Sequence, residues 1–137
     1  MSESSRQPWL RAMVILGVVY AFVGVVFAVP ANHAKVWRLA AWVVSVVAYA
    51  VHICYERFRL RNSPPLAALH VAFAVALGAF GLAVGANIHS LSLESANEHR
   101  PLLLLALGLW PIITAVPAFL VALVAGWVLA SAGPQAK

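Results

Sequence analysis

Arg38, Trp42, Ser45, Tyr49, His52 and Glu56 recur at steps of four and three residues, so a helix lines them along one narrow face of an otherwise apolar run. His52 and Glu56 stand at i and i+4 and can touch. An imidazole beside a carboxylate suits proton exchange near neutral pH. Tyr49, Ser45 and Arg38 extend that pair into a possible relay along the helix. The plainer alternative pairs Glu56 with Arg57, Arg59 or Arg61 and leaves the stripe as a packing seam.

His70 opens a second possibility. His52 lies about six residues from the end of its apolar run and His70 about five from the matching end of the next, which puts both at a similar depth, roughly 7–9 Å at 1.5 Å per residue. Two imidazoles at one level on adjacent helices are the ligand pattern of a b-type haem in a helical bundle. Hydrogen-bonded interhelical histidines are the commoner outcome, so haem b on His52 and His70 is the alternative here and no cofactor is the expectation. His33 and His89 could form a second pair at the other end. His33, His89, Glu94, Glu98 and His99 offer ligand types suited to a divalent ion, but Glu98 and His99 are adjacent rather than helix-paired, and no metal site is expected. A phosphate-binding glycine loop, paired carboxylates, Gly-x-Ser-x-Gly and His-Glu-x-x-His are all missing from the sequence, which favours a non-enzymatic protein.

The elements that would hold these groups follow from composition. Of 137 residues, 64% are hydrophobic and 9% charged, with a mean hydropathy of +0.92. An ordinary soluble domain carries about 25% charged residues, so a soluble globular fold is excluded. The net charge of +5 sits at segment ends rather than on one patch, which excludes a nucleic-acid groove and fits basic residues flanking membrane spans. The single cysteine, Cys54, lies in an apolar run and is expected to be a small buried hydrophobe.

A bilayer core about 30 Å thick needs about 20 apolar residues of helix. Four runs qualify: 10–29, 36–55, 66–88 and 102–132. Pro30, the basic run after Glu56, Pro64-Pro65 and Pro101 punctuate them, and Asn32 and Asn97 stand where helix caps belong. The first run exceeds a signal-peptide core, which spans about 7–15 residues, and is read as a retained span. The chain is thus expected to be all-α, a single integral-membrane four-helix bundle. Arg6, Arg11, Arg57, Arg59, Arg61 and Lys137 fall on one side, and Lys35, Arg38 and Arg100 on the other. That excess puts both termini in the cytoplasm of a multi-pass inner-membrane protein. The two hairpins differ in polarity and proline content, so no internal repeat is apparent, unlike many secondary transporters. The chain matches small four-span multidrug exporters only in size and span number and lacks a mid-membrane acid.

Gly17 and Gly24 on the first span, and Gly78, Gly81 and Gly85 on the third, have the spacing that lets helix backbones approach closely. The stripe of the second span is expected to face the bundle interior and to pack on the glycine face of the third. Pro111 and Pro117 predict a tilted or broken fourth helix. The resulting expectation is a small membrane protein acting as an accessory or structural subunit or a small permeation unit. Its partners would be the lipid bilayer, itself or a larger membrane complex, and no nucleic acid.

Overall fold

A computed structural model describes residues 7–28, 34–91 and 100–132. These form α1 (Gln7–Ala28), α2 (Ala34–Cys54), α3 (Pro64–Leu91) and α4 (Arg100–Ala132), and α2 runs directly into a π-helical turn at Tyr55–Arg59. The described residues contain no strand. All four helices are long and apolar enough to cross a membrane. Asn32, His33, Glu94, Asn97, Glu98 and His99 lie outside the described residues, as does the side chain of Arg38.

Local chemistry sets the helix ends. Pro64 and Pro65 occupy the first turn of α3, where their missing N–H groups would have had no partner. The Ala67 amide closes that turn on the Ser63 carbonyl at 2.9 Å. Helix α4 runs unbroken through Pro111 and Pro117, so of the two expected outcomes, tilted or broken, a break does not occur. Each proline removes one backbone bond, and the flanking turns hold. Between the two prolines Thr114 Oγ1 donates to the carbonyls of Trp110 at 2.9 Å and Pro111 at 3.0 Å.

Helix α3 is the centre of the molecule. Half of its membrane-length window is buried, against 6–12% of the windows in the other helices. One side meets α1 through small residues. A methyl group added at Gly78 would lie 2.6 Å from the Tyr20 Cβ and 3.2 Å from the Gly17 carbonyl oxygen, and one at Gly17 would meet Leu77 at 2.7 Å. Gly24 is closed in the same way by Leu82, and Gly81 approaches Ala21, but Gly85 has open space beside it. The glycine face of α3 therefore packs on α1 rather than on the stripe of α2. Close approach needs small residues on both partners; α1 supplies Gly17, Ala21 and Gly24, whereas α2 carries Trp42 and Tyr49.

Helix α3 also packs on α4, with Ala68 and Val71 meeting Ala122 and, from α2, Ile53. Asn87 Nδ2 ties the far ends of the same pair together, donating to the Ala83 and Leu103 carbonyls at 2.8 Å each. Most of α2 stands off the bundle with Leu39, Trp42, Val43 and Val46 exposed, and Cys54 is exposed as well, not buried as its apolar surroundings suggested. Cys54 sits one position beyond the buried Ile53, so helical rotation carries it to the outside.

Candidate functional site

Where α2 ends, the α-helix widens into the π turn, and Leu60 N–H reaches back to the Tyr55 carbonyl at 3.1 Å. Arg61 then adopts the left-handed conformation, with φ of 54°. That reversal brings Asn62 back over the turn, where its N–H bonds the Glu56 carbonyl at 3.2 Å and its side-chain Nδ2 donates to Glu56 Oε2 at 2.6 Å. Arg57 Nη1 donates to the Asn62 carbonyl at 3.4 Å, a weak brace on the same loop. Backbone and side chain of one residue thus orient one carboxylate.

Glu56 and His52 are completely buried and His70 is 6% exposed. His70 Nδ1 lies 3.0 Å from Glu56 Oε2. Two donors, from Asn62 and His70, converge on that single oxygen, which accounts for their 3.4 Å approach to each other. The second oxygen differs. Among the described residues Glu56 Oε1 has no hydrogen-bond partner, and neither has the buried Nε2 of His52, which faces it across 3.9 Å. A carboxylate in front of Nε2 favours the tautomer that carries its proton there. Nδ1 of His52 is then an acceptor, and the Tyr20 hydroxyl, 3.3 Å away, donates to it.

Helix α1 closes the site over both imidazoles. The Trp9 ring stacks on His70 with centroids 4.6 Å apart and planes within 6°, and Tyr20 lies tilted against His52 at 6.2 Å. The result is a continuous Tyr20–His52–Glu56–His70 row at one end of the bundle. Its widest step is the 3.9 Å gap between His52 Nε2 and Glu56 Oε1.

No protein-family model, curated protein or solved structure matches this chain.

The sequence pairs His52–Glu56 and His52–His70 prove to be parts of one centre. Glu56 lies between the two imidazoles, and both rings are turned to it. Glu56 bonds Asn62 and His70, whereas Arg57 bonds the loop carbonyl of Asn62. The stripe divides. Its lower members, His52 and Glu56, are interior; Tyr49 is half-buried and its hydroxyl donates to the Ala118 carbonyl of α4; Ser45 and Trp42 are exposed. The division follows from α2 leaning on the bundle only at its C-terminal end. His89 is exposed, and the rest of the proposed outer ligand group lies outside the described residues.

Sequence reasoning missed Asn62, Tyr20 and Trp9. Tyr20 had a usable signal, being the one polar side chain in the long apolar stretch after Arg11. Asn62 had none, because its reach depends on the π turn and on the backbone of Arg61.

Proposed function

We propose that this chain is a small multi-pass protein of the inner membrane, with both termini in the cytoplasm, that holds and passes a proton at His52, Glu56 and His70. It is a small permeation unit rather than an enzyme. The observation that carries this reading is the asymmetry of Glu56: one buried oxygen accepts two donors, and the other accepts none and faces an unpartnered imidazole nitrogen. A buried carboxylate whose neighbours among the described residues are an amide and two imidazoles is expensive at membrane depth. Such a group is retained where a proton can be taken up, and His70 and His52 are the neighbours able to exchange one with it. The Lys and Arg distribution supports this orientation, in which the cluster would lie near the cytoplasmic surface.

The test is infrared difference spectroscopy of the protein in bilayers across a pH titration, together with proton flux into liposomes loaded with a pH-sensitive dye. The expected result is a protonated-carboxyl band that disappears in Glu56→Gln, accompanied by a flux that the same change abolishes. A titration without any Glu56-dependent band, or a flux indifferent to Glu56→Gln, overturns the reading.

The haem alternative draws on the same two buried imidazoles. Binding a common iron would require both rings to release Glu56 and open a slot for the macrocycle. The expected absorption spectrum of protein purified with ample haem supply is flat, and a Soret band lost in His52→Ala would replace the proton reading with a redox one.

A further inference from the structure

Three arginines cluster where α2 gives way to α3. Arg57 and Arg59 belong to the π turn, and Arg61 stands at the corner that follows it. Arg59 and Arg61 are exposed and Arg57 is half-buried. Among the described residues the only carboxylate side chain is that of Glu56, which is buried and bonded to Asn62 and His70. None of the three arginines forms an ion pair among those residues. Arg57 makes a long bond of 3.4 Å to the Asn62 carbonyl, which engages one edge of its guanidinium.

The backbone singles out Arg61. Its φ of 54° is a conformation that glycine adopts without steric cost and other residues adopt reluctantly. Among the described residues it is the one non-glycine position with positive φ. A long cationic side chain where glycine would be less strained points to a use for that side chain. The same turn carries Tyr55 and Phe58, 40% and 64% exposed. Aromatic rings interleaved with basic residues at the end of a span match the composition of the headgroup region. Two membrane-length helices meet at this turn, which puts it at that level of the bilayer.

We propose that Arg57, Arg59 and Arg61 form a binding site for the phosphodiester headgroup of an anionic phospholipid. Guanidinium groups match phosphate oxygens with paired N–H donors. Tyr55 and Phe58 supply the apolar surface that a lipid has and a free phosphate lacks. The site rests on the membrane reading given above and is independent of proton transfer. It does adjoin the buried centre: Arg57 bonds the Asn62 carbonyl, and the Asn62 amide bonds Glu56. A bound headgroup therefore stands on the loop that orients the carboxylate.

The experiment sets phosphatidylglycerol against phosphatidylcholine with the same acyl chains, competing for the whole protein in mixed micelles, with retained lipid counted by native mass spectrometry. The expected preference for phosphatidylglycerol is at least about tenfold. Arg59→Gln and Arg61→Gly should each lower it about fivefold, the effect of one basic residue at an anionic membrane surface. Arg61→Gly relieves the backbone, so its melting temperature is expected to be no lower than that of the parent chain. Arg100→Gln, at the far end of the bundle where Asn87 reaches Leu103, should leave the preference unchanged. Equal retention of the two lipids, or a preference indifferent to both Arg59→Gln and Arg61→Gly, overturns the proposal. An equal loss in Arg100→Gln also overturns it, since net charge alone would then explain the binding. Displacement of the lipid by millimolar inorganic phosphate would reassign the site to a soluble anion. The infrared band of Glu56 tests proton exchange separately, so either idea can fail without the other.

Discussion

Helices α1 and α2 are attached to the rest of the bundle in opposite ways. Helix α1 is held against α3 along a seam of glycine and alanine so close that a methyl at Gly78 would lie 2.6 Å from the Tyr20 Cβ. Helix α2 has no such seam. It is fastened by polar side chains: Tyr49 on the α4 backbone, and Glu56 on His70 and Asn62. In lipid the ordinary hydrophobic drive between helices is missing, leaving close packing and hydrogen bonding as the two ways to join them. This molecule uses one for each helix, and its titratable groups lie where the hydrogen-bonded joint is.

That contrast can be broken at several points. The largest effect is expected from Glu56→Ala, which leaves the donors of His70 and Asn62 buried without an acceptor; losing one partner of a buried pair costs about 3–5 kcal/mol. Thermal unfolding in detergent micelles measures it, and an unchanged midpoint would mean that α2 is fastened elsewhere. Next comes Gly78→Leu, which overpacks the seam and should cost about 1–3 kcal/mol, with Gly85→Leu as a silent control because space is open there. Equal effects at the two glycines would dissolve the distinction between seam and surface. Tyr49→Phe removes a single interhelical hydrogen bond, worth about 0.6–1.7 kcal/mol in a membrane bundle, and should let α2 move from α4, seen as a wider spin-label distance between the two helices. Smallest of all, Trp42→Leu should shift stability by less than about 0.5 kcal/mol, since the ring is exposed and takes no part in the core.

Sequence and structure agree on the parts fixed by local chemistry. The four helices were legible from apolar runs bounded by prolines and basic residues, and the contact of His52 with Glu56 from their spacing on a helix. The equal depth of His52 and His70 was also legible, because it depends only on counting from a shared hairpin. Pairing of helices was harder. The sequence exposes small residues on both α1 and α3, yet the polar face of α2 drew the glycines of α3 toward the wrong partner. The exposure of Ser45 and Trp42 depends on the lean of α2, which no local pattern encodes. Asn62 is a further case: a loop residue two positions before a Pro-Pro pair reads as a linker, and only a left-handed backbone at Arg61 turns it into a hydrogen-bond partner of Glu56.

The π turn at Tyr55–Arg59 has a genetic consequence. A helix that carries one π turn holds one more residue than a regular helix of the same span, the trace left when a single-codon insertion is absorbed without losing the fold. Removing one residue from this turn would restore the regular winding and leave the direction of the chain beyond it unchanged. Deletion of Phe58, itself exposed, would keep His52 and Glu56 on their helix but shorten by one residue the segment through which Asn62 reaches back to the carboxylate. The buried acid would lose its clamp at the cost of three nucleotides, so the composition of this site is open to change by a single in-frame event that leaves all four helices intact.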